Sequence, residues 1–256
     1  VPKPAPEDSK PVHAPLPPMP AYYRDDAAAK RRFTRRMFDS SAPDYDRVDR
    51  LLAFGSGSWY RRQALLRAGL ASGMRMLDVA VGTGLVAREA VGVVGDRGCV
   101  IGVDPSAGML AQSEAHGLTL ARGRAEALPF AAQSFDFLCM GYALRHLADL
   151  QAAFDEFRRV LRPGGRLLLL EITRPEGRVA GAVLKGYLHG LLPALTRLVA
   201  RSRDTPALYR YYWDTIEACV PPARILATMA AAGFSGAAHG VQLGIFSEYT
   251  ASAGDP

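Results

Sequence analysis

Cysteine is scarce in this chain, and the three cysteines are poorly placed for joint chemistry. Cys99, Cys139 and Cys219 lie far apart, with no C-x-x-C pair and no His-Cys spacing suited to zinc. We therefore expect no structural metal and a reducing compartment. The chain also lacks an apolar signal core at its start and any uninterrupted run of about 18 apolar residues. We expect a cytoplasmic protein that crosses no membrane, and contact with a membrane surface is left open.

An aromatic-rich or zinc-type nucleic-acid module is also missing, although the net charge is +6. The arginines are spread along the chain, and only Lys30, Arg31, Arg32, Arg35 and Arg36 form a dense basic cluster. A basic stretch without a recognition module is weak evidence for nucleic-acid binding. We therefore expect no nucleic-acid partner.

The first part of the chain has many prolines and few large apolar side chains. Residues 1–20, VPKPAPEDSKPVHAPLPPMP, cannot bury enough apolar surface to offset the entropy lost on ordering. We expect a disordered tail over residues 1–22 and one folded domain over residues 23–256. Within that domain, residues 24–40 carry Phe33, Met37 and Phe38 at helical spacing, which predicts an amphipathic helix.

From residue 74 onward, short apolar runs rich in β-formers alternate with helical segments. The predicted strands lie near residues 74–80, 99–103, 118–122, 135–140 and 166–173. The predicted helices between them lie near residues 84–94, 106–116 and 149–161. This alternation is typical of an α/β fold with a doubly wound, mostly parallel sheet.

The stretch VLRPGGRLLLLEIT predicts that a helix stops before Pro163, that two glycines form a turn, and that a central strand follows, buried on both faces. Residues 178–203 form an apolar helical segment broken at Pro193. We interpret residues 178–220 as a helical cover and substrate region over the cleft. A further helix near 221–232 and strands near 234–249 complete the predicted sheet.

Residues 77–87, LDVAVGTGLVA, place Gly82, Gly84 and Ala87 in the G-x-G-x-x-G/A pattern, which is weak evidence by itself. In an open α/β sheet such a turn cradles a ligand at the carboxyl ends of the strands. Asp104 ends the next apolar run about twenty residues later, where a carboxylate reaches both hydroxyls of a ribose. An adenosine cofactor is therefore predicted, and these residues alone admit either NAD or S-adenosylmethionine.

Asp78 favours S-adenosylmethionine. It lies four residues before Gly82, where a dinucleotide would place its pyrophosphate against the helix N-terminus. Two like charges about 4 Å apart in a partly buried site cost on the order of several kcal/mol before screening, whereas a sulfonium and an ammonium are attracted. The alternative is that Asp78 only caps the turn.

In residues 123–130, GRAEALPF, we expect Ala125 and Glu126 to contact the adenine, and a loop without a ligand is the alternative.

Together these motifs resemble the class I S-adenosylmethionine-dependent methyltransferases, and among them the ubiquinone/menaquinone biosynthesis C-methyltransferase family. The resemblance covers about residues 33–250 and rests on several segments. These are FDSSAPDYDRVDRLLAFG, LDVAVGTG, GVDPSAGML, GRAEALPF, ALRHLAD, RVLRPGGRLLLLEITRP and RYYWDTIEACVPP. The resemblance implies a Rossmann-like sheet of seven strands with N-terminal helices and a helical cover after the fifth strand. It also implies S-adenosyl-L-methionine as cofactor and a small hydrophobic aromatic or quinone-like acceptor.

The resemblance implies two groups of site residues. The cofactor-binding residues are Asp78, Ala80, Gly82, Thr83, Gly84, Asp104, Pro105, Met109, Ala125, Glu126 and Gly141. The catalytic residues are Arg145, His146, Tyr45 and Asp46. Because arginine stays protonated, we expect Arg145 to stabilise a developing phenolate. We expect His146 to act as the base if its ring faces the cleft, the alternative being a surface or satisfied histidine.

Three positions depart from the family pattern. His146 stands where an asparagine is expected, Asp49 replaces the asparagine of Y-D-x-x-N, and Arg124 lies where an acid or asparagine often meets the adenine amine. The acceptor therefore stays open between a quinone precursor and a specialised metabolite methylated on carbon, oxygen or nitrogen. A nicotinamide-dependent oxidoreductase and a binding protein without turnover are alternatives from other classes. A homodimer is also left open.

Overall fold

The structure is a computed structural model that describes residues 22–23, 27–52, 56–175, 177–194 and 205–254. The predicted N-terminal tail lies outside this part of the chain except for Tyr22. The segment of the predicted cover at residues 195–204 also lies outside it.

Strands and helices alternate along the described residues. The strands are β1 (Arg75–Val79), β2 (Cys99–Asp104), β3 (Thr119–Arg122), β4 (Phe135–Gly141), β5 (Leu161–Ile172), β6 (Phe234–Gln242) and β7 (Phe246–Ala253). The helices are α1 (Ala27–Leu52), α2 (Gly57–Arg67), α3 (Leu85–Val94), α4 (Ala107–Glu114), α5 (Leu150–Val160), α6 (Arg178–Lys185), α7 (Thr205–Glu217) and α8 (Pro222–Ala231). A 3-10 turn covers Leu144–His146, and a π-helix covers Gly186–Leu191.

The seven described strands form one sheet in the order β3-β2-β1-β4-β5-β7-β6. Strands β1 to β5 are parallel, and β7 runs antiparallel to both β5 and β6. The chain winds outward from β1 through β2 to β3 and then returns to place β4 on the other side of β1. This reversal creates a crevice at the carboxyl ends of β1 and β4, the usual ligand position in such sheets. The predicted doubly wound fold is confirmed.

Two elements differ from their predicted limits. Helix α1 continues to Leu52 although Pro43 lies inside it, so it is far longer than the predicted segment 24–40. Helix α5 ends before Pro163 as predicted, but β5 begins at once at Leu161. The two glycines therefore lie within the strand, and the register with β4 shifts between the partners Leu161 and Arg166. Gly164, with φ +72°, supplies the backbone freedom that this irregularity needs.

Apolar side chains cover both faces of the sheet. Along β1, Met76 and Leu77 are fully buried yet belong to two different clusters, because successive side chains of a strand point to opposite faces. A third cluster joins α1, the π-helix and α7, with Tyr209, Tyr211 and Trp213 buried at its centre. The third cluster therefore fixes α1 and α7 against each other. That residues 178–220 cover the cleft stays a prediction.

Candidate active site

A cavity of about 380 Å³ opens at the carboxyl ends of β1, β2 and β4. The strand ends contribute Ala80, Asp104 and Gly141 to its wall. Helix α1 contributes one stripe, in which the lining residues follow the three- to four-residue spacing of a helix face. The members of this stripe are Ala28, Arg31, Arg32, Thr34, Arg35, Phe38 and Tyr45. The cavity thus lies between the sheet edge and α1.

The turn after β1 requires its glycines. Gly82 and Gly84 have φ +57° and +86°, the left-handed region that favours glycine. A Cβ on Gly84 would lie 2.5 Å from Leu118 Cδ1, so a larger residue would have to displace that side chain as well as adopt the unfavourable φ. The Ser113 hydroxyl donates to the Gly82 carbonyl at 2.7 Å and fixes the turn from outside.

Strained backbone flanks the cavity at two strand ends. Ala80 after β1 and Tyr142 after β4 have φ +57° and +61°, although both carry side chains that disfavour this region. Both residues line the cavity. Such conformations concentrate at ligand-binding positions, because the surrounding fold must hold them in place.

Asp104 is the central acid of the cavity. Its two carboxylate oxygens accept hydrogen bonds from the backbone N–H groups of Gly82 at 3.0 Å and Ser106 at 2.8 Å. Burial raises the pKa of Asp104 to about 6, although these two hydrogen bonds act in the opposite direction. A carboxylate offers about four lone-pair sites, so capacity is left for two ligand hydroxyls. This arrangement fits the ribose of an adenosine cofactor.

Asp78 lies behind the turn and does not line the cavity. Burial raises its pKa to about 8, and the charge of Asp104 acts in the same direction. Its Oδ2 atom is buried without a hydrogen-bond partner among the described residues. A cationic ligand group beside the turn would favour the ionised form of this unpartnered buried carboxyl, and that ionised form opposes a phosphate. These residues therefore fit S-adenosylmethionine.

The remaining predicted cofactor residues divide into two sets. Those that line the cavity together with Asp104 are Ala80, Gly82, Pro105, Met109, Ala125, Glu126 and Gly141. Thr83 and Gly84 join Asp78 behind the lining, where they shape the turn. Glu126 also accepts a hydrogen bond from the Ala148 N–H at 3.0 Å, which ties the loop after β3 to the opposite wall.

His146 lines the opposite wall of the cavity. Its Nδ1 lies 3.1 Å from the Tyr211 hydroxyl, and its ring stacks on the Tyr211 ring and meets the edge of Phe38. Its Nε2 has no hydrogen-bond partner in the described part of the chain. Burial, together with the positive charges of Arg145 and Lys30, lowers the pKa of His146 well below its ordinary value. The imidazole is therefore neutral and keeps one nitrogen unengaged.

Arg145 lies behind this wall and is not among the residues that line the cavity. It forms a buried ion pair with Glu171 and donates to the Tyr142 carbonyl at 2.9 Å and to the Thr215 hydroxyl at 3.1 Å. Burial acts to lower its pKa, but Glu171 and other neighbours outweigh that effect, and the net pKa is raised. The guanidinium therefore stays charged and holds three elements together.

Tyr45 and Asp46 are adjacent in α1 but point to different surroundings. Tyr45 lines the cavity, and its hydroxyl accepts a hydrogen bond from Tyr212 at 3.1 Å. Asp46 instead forms an ion pair with Arg88 of α3 at 2.8 Å. The sequence predicts both as catalytic, and the structure brings only Tyr45 to the cavity. The catalytic roles of all four residues stay predictions.

The unusual Asp49 has a structural partner. It forms an ion pair with Arg61 of α2, whose side chain is 6% exposed. A buried guanidinium needs a carboxylate more than an amide, because an uncompensated buried charge is strongly unfavourable. The aspartate at position 49, where the family pattern has an asparagine, therefore supplies the negative charge that compensates Arg61.

Two contacts hold α1 over the cavity. Lys30 donates to the Leu147 carbonyl at 2.6 Å, at the end of the turn that carries His146. Asp39 accepts hydrogen bonds from the Ser106 hydroxyl at 2.6 Å and the Gly108 N–H at 3.0 Å, at the N-terminus of α4. A Cβ on Gly108 would lie 2.8 Å from the Asp39 carbonyl oxygen, so glycine allows this close approach. The α1 stripe is thereby fixed opposite Asp104.

Arg31, Arg35 and Phe38 are lining residues that the sequence analysis did not assign to the site. Their spacing with Tyr45 along one helix face was the available signal, but it does not say which face meets the cavity.

Within the described ranges, no group of three His, Cys, Asp or Glu side chains could hold a metal ion. None of the helices described is both long and apolar enough to span a bilayer.

Comparisons with known proteins agree with this geometry. The ubiE/COQ5 methyltransferase family matches residues 26–251. A ubiquinone/menaquinone biosynthesis C-methyltransferase UbiE of Syntrophotalea carbinolica is 36% identical over 212 residues, 80% of this chain and 87% of that protein. A demethylmenaquinone methyltransferase of Mycobacterium sp. (strain KMS) is 34% identical over 199 residues, 78% and 84% of the two chains.

Solved structures support the fold. A SAM-dependent methyltransferase from Aquifex aeolicus superposes with a TM-score of 0.54 at 18% identity, covering 75% of this chain and 89% of that one. Phosphoethanolamine N-methyltransferase 2 of Haemonchus contortus, solved with S-adenosylhomocysteine, gives 0.55 at 20% identity, with coverage of 77% and 53%. The oxidoreductase alternative has no support among these findings. The chain belongs to the ubiE/COQ5 methyltransferase family and is an S-adenosylmethionine-dependent methyltransferase.

Proposed function

We propose that this enzyme methylates a ring carbon of a small hydroquinone-like or phenolic acceptor, and that His146 accepts the hydroxyl proton. The observation that carries the proposal is the two-sided cavity. Asp104 and the glycine turn line one side, and a neutral histidine with an unpartnered Nε2 lines the other. Relatives named for ubiquinone, menaquinone and demethylmenaquinone support a quinone-like ring as acceptor.

When bound, S-adenosylmethionine supplies an electrophilic methyl group. The acceptor carbon must then be made nucleophilic, and removal of a proton from a ring hydroxyl does this. After the ring carbon has taken the methyl group, with S-adenosylhomocysteine as the leaving group, the hydrogen at that carbon leaves to solvent as a proton and restores the aromatic ring. The ring oxygen then regains the proton held by His146. If Nδ1 of His146 donates to Tyr211, the buried Nε2 keeps an unengaged lone pair, which takes the hydroxyl proton when the acceptor hydroxyl packs against the imidazole ring. The positive charges of Arg145 and Lys30, which lower the pKa of His146, also favour an anionic oxygen placed against the ring.

Arg145 is a positioning residue in this proposal. Its bonds to Glu171, Tyr142 and Thr215 fix the turn that carries His146. Phe38 and Tyr45 present aromatic surfaces to the same side of the cavity, where an acceptor ring can stack in the usual offset or edge-on arrangements. The ring carbon is thereby held in one orientation, which is a large part of the rate gain in methyl transfer.

The test is product analysis with methylhydroquinone and S-adenosylmethionine. We expect a new carbon–carbon bond, detected by mass spectrometry and by the loss of one ring proton signal. His146→Ala should slow the transfer, whereas His189→Ala, at an exposed histidine outside the cavity, is the matched control. Product methylated on oxygen would favour the specialised-metabolite alternative. Unchanged turnover in His146→Ala would exclude this histidine as the base.

Peripheral membrane contact is a separate part of the proposal. Helix α6 exposes Val179 and Val183 one turn apart, at 78% and 67%, beside Lys185. An exposed apolar strip with a flanking lysine suits an anionic lipid surface, where a quinone-like acceptor would also reside. Co-sedimentation with anionic vesicles, lost in a Val179→Ser, Val183→Ser variant, would support this contact. The cytoplasmic location and the homodimer stay predictions.

A further inference from the structure

Three arginines at the cavity mouth have no side-chain partner among the residues that the structure describes. Arg31 and Arg35 lie one turn apart in α1, and Arg124 lies in the loop after β3. All three are exposed and line the cavity, and their side chains form no ion pair or hydrogen bond within the described residues. The cavity lining holds two acids, Asp104 and Glu126, which accept backbone N–H bonds. The same lining holds four arginines, since Arg32 joins the other three, so positive charge is in excess there.

This charge is unfavourable for α1 itself. Like charges four residues apart on a helix repel each other, and Arg31 and Arg35 have this spacing. Within the described part of the chain, neither side chain forms a hydrogen bond or ion pair that would offset the repulsion. An anion bound between them would remove it.

We propose that the methyl acceptor carries a carboxylate, bound at the mouth by Arg31 and Arg35 with Arg124 opposite. This inference rests on the proposed function, because the acceptor ring must lie against Phe38 and His146. Along α1, Arg35 precedes Phe38 by three residues, which is roughly 4.5 Å of helix rise. Residues three apart on a helix lie on the same face, so Arg35 can reach a carboxylate on a ring that packs against Phe38. The planar fork of arginine pairs with a carboxylate through two parallel hydrogen bonds.

The cofactor itself has a carboxylate and is the competing occupant. The two occupants predict different results for S-adenosylhomocysteine. If the arginines bind the acceptor, replacing them leaves the affinity for S-adenosylhomocysteine unchanged. If they bind the cofactor, the same replacement weakens it.

The experiment compares two matched acceptor analogues. The full chain, saturated with S-adenosylhomocysteine, is titrated by calorimetry with 2,5-dihydroxybenzoate and with its neutral isostere 2,5-dihydroxybenzamide. We expect the acid to bind about tenfold tighter or more, as for a charged group held by two arginines. An Arg31→Gln, Arg35→Gln variant should bind both analogues equally. Arg36→Gln is the control, since Arg36 is exposed on the same helix but does not line the cavity.

Three results would overturn the inference: equal affinity of wild type for acid and amide, no binding of either, or a weaker S-adenosylhomocysteine affinity in the double variant. The proposed function fails separately. If the acid binds through the arginines but neither analogue is methylated on carbon, the carboxylate site stands and the carbon-methylation proposal falls. If methylhydroquinone is methylated on carbon while the acid binds no tighter than the amide, the carbon-methylation proposal stands and the carboxylate site falls.

Discussion

The two walls of the cavity are built in different ways. The cofactor wall comes from a nearly continuous piece of chain, the turn after β1 and the end of β2, and Asp104 binds directly to the Gly82 amide. The acceptor wall combines α1, the turn at Leu144–His146 and α7, which are joined by Lys30 and by the His146–Tyr211 contact. One wall is therefore encoded locally, and the other depends on long-range packing. Perturbations of the two walls should have separable effects.

The largest separable effect is expected for His146→Ala. Loss of a general base typically slows a reaction by about 10²- to 10⁴-fold. Because His146 lies on the acceptor wall, the dissociation constant of S-adenosylhomocysteine should not change. Single-turnover kinetics measure the rate of methyl transfer, and calorimetry measures the dissociation constant of S-adenosylhomocysteine. Retention of the wild-type rate in His146→Asn, which restores the residue expected in the family pattern, would argue against proton transfer by this side chain.

The next effect concerns the stability of the acceptor wall. Glu171→Gln leaves the buried Arg145 guanidinium uncompensated and should cost about 3–5 kcal/mol of unfolding free energy. The matched control is Asp46→Asn, which breaks the more exposed pair with Arg88 and should cost about 0–1 kcal/mol. Denaturant unfolding measures both. Equal costs for the two variants would show that the Arg145–Glu171 pair does not anchor this wall.

A smaller effect is expected on the cofactor wall from Asp104→Asn. The amide keeps the shape but presents one oxygen and no charge, so one backbone N–H and the ligand hydroxyls lose a charge-assisted acceptor. A loss of about 1.5–3 kcal/mol corresponds to a roughly 10- to 150-fold weaker affinity for S-adenosylhomocysteine. Asp39→Asn tests the neighbouring contact with Ser106 and should have less effect, since it meets no ligand. If Asp104→Asn binds normally, the ribose assignment is wrong.

The smallest effect is the pH dependence of cofactor binding. With a pKa of about 8, Asp78 is mostly protonated at pH 7, and its ionised fraction rises about fivefold between pH 7 and pH 8. The affinity for the ammonium-bearing S-adenosylhomocysteine should rise by a similar factor, and Asp78→Asn should abolish the dependence. In the free protein, a rise in pH acts on folding stability, and it lowers that stability. Because the folded-state pKa exceeds the ordinary value of 3.8, the free protein loses stability as pH rises from about 4 to about 8.

The sequence predicted the conformation of the turn after β1 and the position of Asp104, because a short local motif determines both. Gly82 and Asp104 meet as the β1–β2 pairing requires, and alternating apolar runs define the strand order. The limits of β5 were less predictable, since an irregular register depends on the neighbouring strand.

The acceptor wall was predicted less completely. Tyr45 and His146 reach the cavity, but Arg145 turns inward because Glu171, on the adjacent β5, offers a buried carboxylate. Asp46 turns outward because Arg88 of α3 lies beside it. The directions of these side chains depend on partners that are distant in sequence, so no local pattern predicts them. For the same reason the sequence did not predict that Arg31 and Arg35 line the cavity.

The central claim is that the two walls act independently, one for the cofactor and one for the acceptor. The most direct test measures S-adenosylhomocysteine affinity and the single-turnover rate with methylhydroquinone on the same preparations of wild type, Asp104→Asn and His146→Ala. We predict that Asp104→Asn weakens binding, and that His146→Ala binds normally but transfers the methyl group at least about 100-fold more slowly. Normal transfer by His146→Ala, or loss of its cofactor affinity, would contradict the account.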